Sequence, residues 1–175
     1  MPKFNEFSQN EMDISYGCLF CKTGSEKELT KTLQSIEGIQ AIAPERQYRR
    51  RINGTMKILT EILFPGYVFF RVLSGFDALK LLRYADVLKL LTTEKKWQLQ
   101  NADAEFAQWL FQQGNVLTFS QAYFEGDRIR IIDGPLKNYE GMIMKVNRRF
   151  QNAQIVLSFR ELQIKVWLGY EKIAK

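Results

Sequence analysis

The sequence predicts an α+β protein in two parts. An antiparallel sheet flanked by helices is expected over residues 1–113, a linker over 114–124, and a small five-stranded β-barrel over 125–175. Three observations lead there. The chain opens with an apolar segment, a tight turn and an amphipathic helical pattern. Two β-rich segments then flank Asn53-Gly54, the strongest short hairpin signal. Beyond residue 125 the helical period disappears, and short strands recur at barrel-like spacing.

Ile14 to Cys21 (ISYGCLFC) reads as a mostly buried strand, followed by a turn at Lys22-Thr23-Gly24. Ser25 and Glu28 have capping-box spacing, and Leu29, Leu33 and Ile36 form one apolar stripe on a helix that Gly38 can end. Residues 39–52 and 56–63 are expected strands, and Pro65-Gly66 interrupts the chain before another, Tyr67 to Val72. Phe76, Leu79 and Leu82 predict a second helix, and Val87 to Thr92 a short strand. A third helix, capped by Asn101 or Asp103, runs through Gln113 and buries Phe106 and Leu110, with Gly114 just past its end. Residues 114–124 show no clear period and few charges, hence the linker. The barrel strands are expected at Arg128–Asp133, Met142–Asn147, Gln154–Phe159 and Ile164–Leu168.

With 46% hydrophobic and 13% aromatic residues in 175, a packed core forms and disorder is not expected. No apolar run approaches the roughly 20 residues that span a bilayer, and the polar leader MPKFNEFSQNEMD lacks a secretory apolar region. The expected compartment is therefore the cytoplasm, with no membrane partner. The net charge of +6 permits nucleic-acid binding. It is concentrated late: residues 125–175 carry ten Lys/Arg against six Asp/Glu, residues 1–124 fifteen against thirteen.

Several chemistries are disfavoured. Histidine is absent, which removes the usual general base and the commonest metal ligand. Cys18 and Cys21 have CxxC spacing, but zinc needs about four ligands and no other Cys exists. A redox CxxC opens a helix, whereas this pair sits in an expected strand, where buried small hydrophobes are the simpler reading. No phosphate-binding glycine loop, nucleophile elbow or paired acidic site can be assembled. The expectation is a binding protein and not an enzyme, with no catalytic residues, no metal and no cofactor.

The most specific stretch is Glu125 to Val146 (EGDRIRIIDGPLKNYEGMIMKV). Ile129 and Ile131 face one side of a strand, and Arg128 and Arg130 the other. Asp133-Gly134-Pro135 reverses the chain, and Gly141 is expected at a bulge or tight bend. This pattern resembles the KOW motif, and the KOW domain of the NusG family in particular. Phe64-Pro65-Gly66-Tyr67-Val68-Phe69-Phe70 is similar to the signature strand of that family's N-terminal (NGN) domain, and YGCLFCKTGSEKE to its first strand, turn and helix. The three matches stand in family order. The resemblance implies an NGN domain followed by an SH3-like KOW barrel. It also implies a partner, bacterial RNA polymerase, whose clamp helices the NGN domain binds through an aromatic surface. The matching positions are Phe64, Pro65 and Tyr67, with Tyr16 from the first strand. Aromatic rings suit a helix-docking surface because they supply large area at low entropy cost, although some of these rings can equally be core.

The stretch Phe159 to Val166 lacks the Gly-Arg and Thr-Pro pairs of housekeeping members, and the barrel with its ending VWLGYEKI looks closer to the specialised LoaP branch. That resemblance implies processive antitermination, with the barrel binding a nascent leader RNA hairpin. The expected RNA-binding residues are Lys145, Arg148, Arg149 and Phe150 around one turn, with Lys137 and Asn138 in a second loop; a solvated basic turn is the bland alternative. Arg49, Arg50 and Arg51, following Arg46, lead into the Asn53-Gly54 turn. With Lys22 they are candidates for contact with non-template DNA or polymerase, or simply a charged edge hairpin. A monomer is expected. The rival readings are a general NusG factor acting on pausing, and a KOW-bearing RNA-binding protein of ribosome or RNP assembly.

Overall fold

The computed structural model describes residues 14–174; the polar leader lies outside the described residues. The chain forms two compact units, and they interleave in sequence. One contains the described residues up to Pro44 together with Phe64–Gln112; the other contains Glu45–Leu63 and Gln113–Lys175.

In the first unit, β1 (Ile14–Cys21), β2 (Ile39–Ile42), β5 (Tyr67–Leu73) and β6 (Val87–Leu90) form an antiparallel sheet in the order β2-β5-β1-β6. Phe20 pairs with Tyr67, Cys18 with Phe69 and Tyr16 with Arg71, so these side chains share one face. On the other face Gly17 lies opposite Phe70, where a β-carbon would clash with the Cζ edge of the phenyl ring. Helix α1 (Glu26–Gln34) buries Leu29 and Leu33. The expected capping box does not form: the Ser25 side chain makes no cap hydrogen bond, and the helix ends four residues before Gly38, closed by Ser35 Oγ donating to Thr32 O (2.6 Å). The second expected helix is instead a 3-10 segment, Ala78–Arg83, started by Asp77 accepting from Leu79 N at 3.2 Å. Three residues per turn place Ala78 and Leu81 together inside, which leaves Leu79 and Leu82 outside rather than in the core. Helix α2 (Asn101–Gln113) ends as expected, but Asn101 and Asp103 lie inside its first turn rather than capping it, with Asp103 N donating to Gln100 O at 3.2 Å. It buries Phe106 and Leu110, with Gly114 at φ 83° just past its end.

In the second unit, β3 (Glu45–Ile52) and β4 (Thr55–Ile62) form the expected hairpin. Asn53 (φ 48°) and Gly54 (φ 81°) supply the two positive φ angles of a type I′ turn. The linker expectation is corrected. Within 114–124, β7 (Val116–Leu117) pairs parallel with β3, and β8 (Ser120–Glu125) is a full member of the C-terminal sheet. Leu117, Ser120 and Ala122 are buried, so a segment of weak period is fixed by the local β8–β9 hairpin together with long-range pairing to β3 and β12 that its own sequence does not announce. β8, β9 (Arg128–Asp133), β10 (Lys145–Asn147), β11 (Asn152–Phe159) and β12 (Leu162–Lys172) make a curled five-stranded half-barrel. Its order is β10-β11-β12-β8-β9, with β9 and β10 at the edges.

The domain boundary also differs from expectation, because the β3–β4 hairpin belongs to the half-barrel's unit. Buried Asn152 explains this. Its carboxamide accepts from Arg49 N (3.0 Å) and donates to Arg49 O (2.7 Å), so a side chain completes a backbone pairing. Arg46 donates to Trp167 O at 2.7 Å, and Arg49 to Tyr170 O at 2.7 Å. Charge-assisted bonds of this kind contribute about 1.5–3 kcal/mol each.

Gly141 is not the bend. It lies inside a 3-10 segment, Pro135–Met142, at an open position where a β-carbon would meet nothing. The constrained residue is Gly134. It has φ 96°, and a β-carbon there would come within 2.6 Å of Ser120 Cα. Ser120 Oγ in turn accepts from Leu136 N (2.9 Å).

Candidate functional site

The FPGY bend is a β-turn with Tyr67 N donating to Phe64 O (3.1 Å). Proline and glycine occupy its central positions and Gly66 has φ 86°, the type II signature. Two contacts lock it. Phe20 packs so closely that a β-carbon on Gly66 would lie 2.9 Å from its ring. Glu26, 4% exposed, accepts from Gly66 N at 2.7 Å through one carboxylate oxygen and from Gly24 N at 2.8 Å through the other. One buried acid therefore ties the start of α1 to the bend that presents Tyr67. Glu26 escapes sequence reasoning because an acid in a first helical turn is ordinarily a dipole complement, and nothing in linear spacing connects it with a glycine 40 residues on.

The expected aromatic surface is partly present. Phe64 is a correction: it is only 2% exposed, with its ring edge-on to Phe106 (5.7 Å) and Phe69 (6.1 Å), so it is core and supports Tyr67 from beneath. Pro65 is exposed, and Tyr67 and Tyr16 are half-buried. Phe20, half-buried with its ring 5.3 Å from Tyr67, is the member that the expectation omitted; strict alternation from Tyr16 through Cys18 to Phe20 would have identified it. Tyr16 meets the half-buried Phe111 of α2 at 5.8 Å, and the Arg71 guanidinium lies 4.9 Å over that second ring. Tyr16 and Tyr67 are separated by four strand positions, roughly 13 Å along the sheet, about the rise of two and a half helical turns.

The two cysteines are fully buried. Burial pushes the Cys21 thiol up to about 11, with the negative charges of Glu26 and Asp86 adding to it. That is the opposite of what a reactive thiolate needs. No group of His, Cys, Asp and Glu suited to a metal ion occurs among the described residues, and none of their helices is long and apolar enough to cross a membrane.

On the half-barrel, the β10–β11 connection brings together Lys145, Arg148, Arg149 and Phe150. Phe150 N donates to Asn147 Oδ1 at 3.0 Å, a side-chain-to-backbone bond across three residues that fixes the tip. Lys145 and Arg149 are exposed, and Arg149 lies 5.7 Å over the half-buried Phe150 ring. Arg148 lies 4.3 Å over Phe124 and donates to Gly126 O (3.2 Å) and Asp127 Oδ1 (3.1 Å). Lys137 and Asn138 are exposed in the 3-10 segment, and no hydrogen bond, ion pair or ring contact among the described residues joins them to the Arg148 turn. Arg130 is neutralised between Glu125 (2.9 Å) and Glu140 (3.1 Å). The Ile131 amide, with Arg130 beside it, holds the Glu140 carboxyl below its ordinary range. Lys172, exposed and lining one cavity with Arg148, extends the positive surface and went unnoticed because it stands alone in a strand pattern.

In the hairpin, Arg49 is corrected as a candidate for DNA or polymerase contact. Its side chain is 17% exposed, 4.1 Å over Phe119, and spent on the Tyr170 carbonyl. Arg50 is exposed, and Arg51 is exposed with Nε donating to Gly54 O (3.0 Å). Lys22 is exposed and lies 3.8 Å from Asp86.

An antiparallel sheet with helices carrying a partly open aromatic row, followed by a curled KOW-type half-barrel bearing a basic turn, defines the two-module NGN–KOW class. The family model described as "Transcription termination factor nusG" matches residues 16–107, and the KOW motif model matches residues 125–157. The chain belongs to the NusG family of transcription factors. No curated protein matches it. Among solved structures, one described as "Domain interaction in Thermotoga maritima NusG" is similar in fold, with a TM-score of 0.55 at 16% identity over 90% of this chain and 94% of that one.

Proposed function

We propose that this chain is a LoaP-like processive antiterminator: a cytoplasmic, monomeric protein whose first unit binds the clamp helices of bacterial RNA polymerase while its half-barrel holds a leader RNA hairpin. The observation that carries the reading is the row Tyr16, Phe20 and Tyr67 on one sheet face. Three half-buried rings lie there, Phe20 against Tyr67 and Tyr16 beyond the fully buried Cys18–Phe69 pair, with Pro65 exposed beside them. Aromatic rings at two points about 13 Å apart along the sheet suit a helix pair. The RNA reading is supported by Lys145, Arg148 and Arg149, grouped at one turn beside Phe150, with Lys137 and Asn138 as a separate contact. Arg50 and Arg51 in the second unit, and Lys22 separately in the first, remain for contact with non-template DNA or polymerase. Because one chain carries both contacts, the second is effectively intramolecular, and modest affinities suffice.

The test is reconstituted transcription through a terminator, with and without a leader that encodes a candidate hairpin. Readthrough that requires both the protein and the leader supports the reading. Readthrough or pausing that is indifferent to the leader points to a general NusG factor. Absence of any polymerase effect, with RNA binding retained, points to an RNP-assembly protein.

A further inference from the structure

The second unit contains a cavity of about 260 Å³, lined by Phe124, Gly126, Arg148, Gln151, Tyr170 and Lys172. Two turns converge on it, Glu125-Gly126-Asp127 and Arg148 to Gln151, clasped together by the Arg148 bonds to Gly126 O and Asp127 Oδ1. These bonds engage the edge of the guanidinium. One of its faces covers Phe124 at 4.3 Å, and the side chain is nonetheless 52% exposed. Tyr170, almost wholly buried, stands T-shaped to Phe124 at 6.0 Å and closes the apolar side. The Gly126 wall is open: a β-carbon there would meet nothing within 4 Å. The Gln151 carboxamide offers a donor and an acceptor together, and exposed Lys172 offers a cation at the rim.

We infer that this cavity is a pocket for one unpaired RNA base, stacked against the Arg148–Phe124 pair, read along its edge by Gln151, with its phosphate on Lys172. Unpaired bases are held in this manner, on aromatic rings and guanidinium planes with hydrogen bonds to their edges, whereas a continuous A-form duplex offers no base to such a site. The inference rests on the proposed RNA-reading role of the half-barrel and adds what is read: a bulged or looped-out nucleotide, not the helix alone. Stacking of one base contributes about 1–3 kcal/mol, which converts to a roughly 5- to 150-fold preference.

The experiment uses the full chain and two hairpin RNAs that differ by one bulged 2-aminopurine, with binding followed by anisotropy and by the fluorescence of that base. At least a fivefold preference for the bulged hairpin, with quenching on binding, is expected. Phe124→Leu and Arg148→Gln should each bring the bulged hairpin down toward the paired one, and Gln151→Ala should do so without touching a packed ring. Equal affinity for the two hairpins, or emission that does not fall, overturns the pocket while leaving RNA binding intact. Failure of both hairpins to bind overturns the pocket and the RNA-reading role together. Competition by free ribonucleoside monophosphates at equal concentration overturns the assignment to RNA and makes this a small-molecule site.

Discussion

Replacing Glu26 by alanine probes the construction of the aromatic face without touching a ring. The carboxylate accepts two amide hydrogen bonds, from Gly66 N at 2.7 Å and Gly24 N at 2.8 Å. Hydrogen bonds to a charged group contribute about 1.5–3 kcal/mol each. The Gly66 bond is buried and incurs the full loss; the one to Gly24, whose residue is exposed, is largely replaced by water. The expected cost of Glu26→Ala is therefore about 2–4 kcal/mol, read as a lower urea midpoint for the unfolding of full-length protein with the slope unchanged. Glu26→Gln keeps one acceptor and should recover about half of the loss. The second readout is polymerase affinity. A bend no longer tied to α1 presents Tyr67 in more than one orientation, so Glu26→Ala should weaken binding even in buffer where the protein is fully folded. A stability change below about 0.5 kcal/mol, the range of ordinary surface substitutions, would refute the claim that this acid organises the bend.

Three further outcomes are expected. Gly134→Ala should destabilise by about 1–3 kcal/mol, because it combines positive φ with a clash against Ser120, whereas Gly141→Ala should be neutral or slightly stabilising; denaturant melts of the two variants compare them directly. Asn152→Ala leaves the Arg49 amide and carbonyl without their partner, at a cost of about 1–3 kcal/mol, and should accelerate hydrogen exchange at the Arg49 amide. The Cys21 thiol, raised by burial from its ordinary 9.0 to about 11, stays protonated in the folded chain after the unfolded chain has released its proton. Stability should therefore fall as pH rises from 9 to 11, by at most ~1.4 kcal/mol per unit from this group. Cys21→Ala should flatten that decline in urea melts taken across the interval.

Local signals carried most of the fold. The strand Ile14–Cys21, the Asn53-Gly54 hairpin and the helix Asn101–Gln113 were legible because periodicity and turn chemistry are written in consecutive residues. Pairings between distant residues were not. Val116 and Ser120 looked like linker residues because their partners, β3 and β12, lie far away in sequence; only Gln121–Glu125 have a nearby partner, β9. The two candidate-site errors share this origin. Phe64 and Tyr67 look alike in a motif, and only packing against Phe106 sends one inward. Arg49 looks like its neighbours Arg50 and Arg51 until Asn152 and Tyr170 claim it. Gly134 and Gly141 are likewise indistinguishable until Ser120 is set against one of them.

The affinity of full-length protein for purified bacterial RNA polymerase, compared with that of Tyr67→Ala, bears most directly on the central claim. A central aromatic anchor contributes about 2 kcal/mol or more, so the variant should bind roughly 30-fold more weakly in buffer where it is fully folded, its loss of the Phe20 and Phe64 contacts costing about 1–3 kcal/mol of stability. Unchanged affinity in a folded Tyr67→Ala protein would contradict the account, because the row Tyr16, Phe20 and Tyr67 would then not be the surface that meets polymerase.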